Sequence, residues 1–235
     1  MGKKSIEDIN TEADDFIQYL FSNINIEAKR FIEEVNKTSD TYIFSGVIRD
    51  YFLKYKGVIR DLDIVFKSID SSKLNEILHQ YNHRKNSFGG YKIEIGDLNI
   101  DFWSIDNTWG LNFSSYLDLD RYQYLPKTSF FNFSSIIFDL KKRVFIASPD
   151  FLKFLETREI DYVLEENPQP VLCMINTIYY YRKYNLKVSK KLKQYYVKRF
   201  KKYSENDYNE AQLKHFNDVL FSYQLLKVYY EVFDK

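Results

Sequence analysis

Residues 41–66 constrain the fold more than any other stretch of this chain. Thr41-Tyr-Ile-Phe44 is β-branched and aromatic, as a buried strand requires, and Ser45-Gly46 after it reads as a tight turn. Val47 to Tyr55 predicts a short helix, and Asp61-Leu-Asp-Ile-Val-Phe66 predicts a second strand. Strand, turn, helix and strand in this order fit a sheet flanked by helices. An α/β (α+β) class with a small mixed sheet is therefore expected.

The neighbouring text extends this picture. From about Asp14 to Lys37 apolar residues recur at helical spacing (Phe16, Tyr19, Leu20, then Ala28, Phe31, Ile32, Val35), which predicts one or two amphipathic helices as a packing layer. Leu74, Ile77, Leu78 and Tyr81 mark another helix. Tyr91 to Ile95 and Leu98 to Ile105 predict two strands joined across Gly96-Asp97 as a hairpin. Strand-like aromatic text returns at Phe130–Leu140 and Arg143–Ile146, and from Pro149 the pattern is helical, interrupted at Asn167-Pro-Gln-Pro170 and Ser204-Glu-Asn206. The expected organisation is an N-terminal helical segment over residues 1–38, an α/β head over 39–148 and an all-helical C-terminal domain over 149–235.

Composition narrows the class. The 235 residues are 45% apolar and 29% charged with 7 Gly and 4 Pro, which excludes collagen-like, disulfide-scaffold and disordered chains. Cys173 is the single cysteine, and Met1-Gly-Lys-Lys4 is followed by Glu7, Asp8 and Asn10 rather than an apolar leader, so a reducing, cytoplasmic setting is expected. The longest uncharged stretches, such as Asn167–Tyr181, are too short for a membrane span and contain Pro and Asn. Phe, Tyr and Trp make up 18% of the chain and are read as core rather than a base-stacking platform. A net charge of +1 argues against a general polyanion binder. Yet Arg182–Lys202 carries ten Lys or Arg and no acid, leaving −9 for the remainder.

The acids of the second strand carry the chemistry. Asp61 and Asp63 stand at i and i+2, so both project from one face while Leu62, Ile64 and Phe66 point to the other. Adjacent carboxylates repel unless a cation lies between them. Mg²⁺ is an economical partner, because it takes oxygens from one or two carboxylates and completes its shell with water and substrate phosphates. Asp101 lies in the apolar text Ile100-Asp-Phe-Trp103 of the hairpin and is out of place there unless it too binds metal. Three carboxylates on adjacent strands suit a two-metal site for in-line phosphoryl or nucleotidyl transfer. Taken without Asp101, the Asp61–Asp63 pair also fits an ordinary solvent-facing strand. The Ser45-Gly46 turn presents free backbone N–H groups at the start of a helix, where triphosphate oxygens are favoured.

These residues resemble a known group. Phe44-Ser-Gly-Val-Ile-Arg-Asp-Tyr-Phe-Leu53 followed by Arg60-Asp-Leu-Asp-Ile-Val65 looks like the head domain of the DNA polymerase β-like nucleotidyltransferase superfamily, most closely its bacterial branch of CCA-adding enzymes and poly(A) polymerases. That pattern is Gly-Gly-x-x-Arg-Asp and then Asp-x-Asp. Phe131-Asn-Phe-Ser-Ser-Ile-Ile-Phe-Asp139 is similar to the branch's Phe-Thr-Ile-Asn-Ala-Leu-Ala-Tyr-Asp segment, and the resemblance covers roughly residues 40 to 160. It implies that Ser45 and Gly46 cradle the β- and γ-phosphates of an NTP, that Asp61 and Asp63 bind two ions of Mg²⁺ (or Mn²⁺), and that Asp101 is the third catalytic acid. Arg49 reads equally as a structural partner of Asp50 and as a phosphate ligand. Ser45 replaces the first Gly of the pattern. The branch's Arg-Arg-Asp triplet corresponds to Thr128, Ser129 and Phe130, and a Glu-Asp-x-x-Arg-like motif is missing, so CTP and ATP specificity does not carry over. The part after residue 160 is too short for the body and tail that hold tRNA in that branch.

The expected function is metal-dependent transfer of NMP from an NTP to an acceptor hydroxyl, first an RNA 3′ end such as that of tRNA. A protein or small molecule is the alternative acceptor, including a toxin–antitoxin type of activity. A nucleotide- or partner-binding module without turnover is the third reading, against which the retention of three mutually repelling acids counts. In the basic stretch, Val188, Leu192, Tyr195, Tyr196, Phe200 and Tyr203 form one helical face, with Lys190, Lys191, Lys193, Lys198, Lys201 and Lys202 outward. That face is either solvated or a phosphate-contacting surface for RNA through Lys190, Lys191, Lys198 and Lys201. Phe88-Gly-Gly-Tyr91 reads as a turn, and His79, His83 and His215 lack metal-ligand spacing with Cys173 or one another.

Overall fold

The computed structural model describes residues 4–112 and 121–235. They form two compact units, one of residues up to Ser129 with Phe133–Glu156, the other of Phe130–Asn132 and Thr157–Lys235. In the first, helices α1 (Ile6–Asn10), α2 (Ala13–Ser22) and α3 (Ile26–Thr38) lead into β1 (Thr41–Phe44), α4 (Gly46–Phe52) and β2 (Asp61–Phe66). Then come α5 (Ser71–Leu78), β3 (Asn82–Lys85), β4 (Tyr91–Ile95), β5 (Leu98–Ser104), α6 (Trp109–Asn112), β6 (Ile136–Asp139), β7 (Val144–Ala147) and α7 (Pro149–Thr157). The strands join in one seven-stranded sheet of order β3-β4-β5-β2-β1-β6-β7. Only β2 and β5 pair in parallel; the other neighbours are antiparallel. A parallel pair needs a crossover, and α5 with the β3–β4 excursion supplies it.

One face of this sheet is apolar along its length. Leu62, Ile64 and Phe66 of β2 share it with Ile100 and Phe102 of β5 and Phe138 of β6, all buried. Helices α2 and α3 close it: Phe16 sits 5.0 Å from Phe138 and 5.2 Å from Phe145, and Phe31 sits 5.3 Å edge-on to Phe102. The side chain of Asn25 accepts from the Ala28 N–H to start α3 and donates to the Ile95 carbonyl, which ties the helix to the hairpin end. The other face changes character along the strands. Tyr42, Val65, Ile105, Leu111, Leu125 and Ile137 form a second small core with Phe44 and Trp103 at its border, and beyond that border lie the acids.

The polar edge strand β3, Asn82–Lys85, is fully exposed and was not legible as a strand. The strand expected over Phe130–Leu140 is shorter, because Ile136–Asp139 alone pairs in the sheet. Upstream of it, Phe130 and Asn132 spend their backbone on Val163 and Asp161 of the second unit. Asp139 is buried and accepts the N–H groups of Lys141 and Lys142, which closes the β6–β7 turn.

The second unit is helical, with α8 (Pro170–Lys183), α9 (Lys190–Phe200), α10 (Glu205–Phe216) and α11 (Tyr223–Phe233). A two-residue parallel ladder of β8 (Glu159–Ile160) and β9 (Lys187–Val188) accompanies them. Its core is a ring cluster in which Phe200 stacks on Tyr196, Tyr223 and Tyr230. Buried Gln212 holds the α10–α11 link by giving Nε2 to the Phe221 carbonyl and taking the Phe221 N–H. Serines 189, 204 and 222 cap α9, α10 and α11 in turn. Among the described residues, no helix is long and apolar enough to cross a membrane.

Candidate active site

Strand register builds the site. Parallel pairing sets Asp63 opposite Asp101 and Asp61 opposite Asn99, so the face named by Asp61 and Asp63 is also the face of Asp101. Pairing carries the same level outward, from Phe44 on β1 through Asp63 and Asp101 to Lys92 on β4 and Arg84 on β3. Two carboxylates and then two cations thus cross the sheet in one row. Asp61 is exposed at the start of β2, where it accepts from Asn99 Nδ2 at 3.4 Å, and Asp63 is half-buried one step nearer the second core.

This placement makes Asp63 hard to ionise. Burial first, then the charges of Asp101 and Asp61, push its carboxyl up to about 7, against the opposing pull of Arg49 and Lys92. Asp101 keeps a counter-ion: Lys92 Nζ lies 3.4 Å from its carboxylate. Sequence reasoning did not single out Lys92, although the signal was present. Counting outward from the two-residue Gly96-Asp97 turn, with Gly96 at φ 60°, pairs Lys92 with Asp101 directly.

The turn expected to serve the triphosphate stands beside the acids. An added Cβ on Gly46 would lie 4.0 Å from both Arg49 Nη2 and Asp63 Oδ2, so the absent side chain opens a space bounded by one cation and one acid. Arg49 is 11% exposed, gives Nε to Asp50 at 2.8 Å and lies over the Phe133 ring at 5.3 Å. The structural pair with Asp50 is therefore formed, and the other end of the guanidinium faces Gly46. Ser45, nearly buried, adopts φ 51° and ψ −88° while its N–H donates to the Ile136 carbonyl. A non-glycine residue in this region is strained.

The four lysines expected to contact RNA belong to the second unit and divide into two kinds. Lys191 gives Nζ to the Tyr162 carbonyl and lies 3.7 Å over that ring, and Lys201 lies 5.0 Å over Tyr230. All four are exposed, and Lys190 and Lys198 differ in that neither is laid over a ring. Arg199 nearby pairs with Glu165 and covers the Tyr195 ring.

Chemically the acid row suits a hard divalent cation, since burial and mutual repulsion leave Asp63 with charge that a cation relieves. Among the described residues, however, no three His, Cys, Asp or Glu side chains are grouped tightly enough to hold an ion as they stand. Asp101 is occupied with Lys92 instead. A cleft at the opposite ends of β2 and β5, lined by Phe66, Lys67, Ser104 and Asp106, contains none of Asp61, Asp63 and Asp101.

The described fold is thus a mixed sheet with a parallel central pair bearing acids in register, followed by a helical unit. No family model and no curated protein matches the chain by sequence. Solved structures match it by fold. A CCA-adding enzyme in complex with ATP aligns with a TM-score of 0.63 at 15% identity, over 92% of this chain and 54% of its own. A CCA-adding enzyme with CTP gives 0.64 at 13%, over 100% of this chain and 56% of its own. The Thermotoga maritima CCA-adding enzyme complexed with tRNA-CCA gives 0.60 at 14%, over 100% and 55%. The chain has the fold of these CCA-adding enzymes and spans about half the length of the structures it matches.

Proposed function

We propose that this chain is a metal-dependent nucleotidyltransferase that moves NMP from an NTP to an acceptor hydroxyl and releases pyrophosphate. The observation that carries the reading is the register of Asp63 with Asp101, one step from Asp61 and beside Gly46 and Arg49. Solved structures of the same fold with ATP and CTP support it. In this reading Asp61, Asp63 and Asp101 hold Mg²⁺ or Mn²⁺, two ions in all. When bound, the ions lower the pKa of the acceptor hydroxyl and offset charge on the triphosphate. Gly46 offers its backbone N–H to the triphosphate and the Arg49 guanidinium lies beside it, whereas the Ser45 N–H is already given to the Ile136 carbonyl and Ser45 serves by shaping the turn. The acceptor oxygen forms a bond to the α-phosphorus as the bond to the β-bridging oxygen breaks. Pyrophosphate leaves with the electron pair, and the hydroxyl proton passes to solvent.

An RNA 3′ end is the acceptor we favour, on the exposed cations Lys190 and Lys198 and on the tRNA complex of a fold relative. Transfer to a protein or small-molecule hydroxyl has one observation behind it, the engagement of Lys191 and Lys201 with Tyr162 and Tyr230. Incubating the protein with each α-³²P NTP, Mg²⁺, and either total RNA or lysate tests both. Label in RNA is the expected result. Label in protein moves the acceptor, and no label anywhere contradicts the enzyme reading.

A further inference from the structure

We propose that Lys92 is the resident counter-ion of the acid row, the charge that a divalent cation must displace before Asp101 can join Asp61 and Asp63. The inference rests on the reading of those three acids as metal ligands and adds to it a residue of this chain. Lys92 Nζ lies 3.4 Å from each carboxylate oxygen of Asp101, so the pairing engages both oxygens. Lys92 and Asp101 are directly opposed, one register step beyond the hairpin's middle pair, Ile93 with Ile100, on the side away from the Gly96-Asp97 turn.

The rest of the face keeps Lys92 where it is. Across β3 its register partner is Arg84, a like charge that favours the Asp101 side. Glu94, two residues along β4, is engaged by Asn82 Nδ2 at 3.0 Å. Lys92 and Asp101 are 49% and 39% exposed, so the ion pair is hydrated enough to exchange with a cation from solution.

The test is Mn²⁺ binding to the full chain without nucleotide, followed by electron paramagnetic resonance of the free ion. Lys92→Gln should bind Mn²⁺ roughly three- to tenfold more tightly than wild type, the scale of one unit charge at this distance in a wet site. Lys92→Arg, which keeps the charge, should bind as wild type does. Asp63→Asn should lose the ion in every background. Equal or weaker binding by Lys92→Gln, with binding still abolished by Asp63→Asn, overturns this inference and leaves the acid site standing. Binding that ignores Asp63→Asn, or no binding at all, overturns both. Lys92→Met serves the same purpose should circular dichroism show that the Gln variant does not fold.

Discussion

Two regions of the molecule gather like charges, and they treat them in opposite ways. On the sheet face, Asp61, Asp63 and Asp101 stand in adjacent register positions, and Asp63 is driven toward neutrality by burial and by its neighbours. On α9 and its C-cap, Lys191, Lys193, Arg199 and Lys201 lie over the rings of Tyr162, Phe233, Tyr195 and Tyr230. The cations have been given partners within their own unit; Asp63 has been given more repulsion than relief. Folding alone gains nothing from the acid row, so its cost points to a ligand. The ring-covered cations contribute to their own unit, while Lys190 and Lys198, exposed and not laid over a ring, are the better placed of the four for a polyanion.

The largest effect separating the two regions is expected at Asp63. Its carboxyl titrates near 7 in the folded chain and near its ordinary 3.8 when unfolded, so the folded chain holds the extra proton between those values. Stability contributed by the neutral acid is present at low pH and is lost as pH rises through about 7. Asp63→Asn in EDTA should therefore match wild type near pH 4. At pH 8 it should exceed wild type by on the order of 2–4 kcal/mol in urea unfolding. A variant less stable than wild type at pH 8 would show that the acid is compensated after all.

A smaller effect is expected at the turn. Ser45→Gly relieves the strained φ of 51°, and after the greater freedom of Gly in the unfolded chain is subtracted a gain of about 0.5–1 kcal/mol should remain. Urea midpoints check this, and a loss would mean that the serine side chain holds the turn.

The smallest effects sharpen the α9 side. Lys191→Gln with Lys201→Gln should lower the urea midpoint, because both side chains cover rings. Lys190→Gln with Lys198→Gln should leave it unchanged. If RNA is the acceptor, this second pair should flatten the plot of log K against log salt by about 1.4, the share of two phosphate contacts on a single strand. An unchanged slope would remove α9 from the acceptor surface.

Much of the acid row was legible in the sequence, because once Asp61–Phe66 is read as a strand its period of two puts Asp61 and Asp63 on one face. Asp101 was legible as a misfit in apolar text. What could not be read was which strand lay beside which: the parallel β2–β5 register joins residues 38 positions apart, and nothing local encodes it. Lys92 was readable by hairpin counting but carried no signal of its own, since Lys is ordinary on an exposed strand position. Helix α1 was missed because five residues hold too few turns for a period to show. Edge strand β3, Asn-His-Arg-Lys, has no apolar alternation and is a strand only because β4 pairs with it. The α9 lysines were seen as one outward set, whereas rings from Tyr162, distant in sequence, and Tyr230 in α11 divide them.

At the centre of the account, Asp61, Asp63 and Asp101 form a transfer centre. It is tested most directly by incorporation of α-³²P label from an NTP into total RNA or lysate, comparing wild type with Asp63→Asn at equal folded concentration in saturating Mg²⁺. The account predicts label with wild type and background with Asp63→Asn, although the variant is the more stable of the two at pH 8. Transfer by folded Asp63→Asn at the wild-type rate would contradict it.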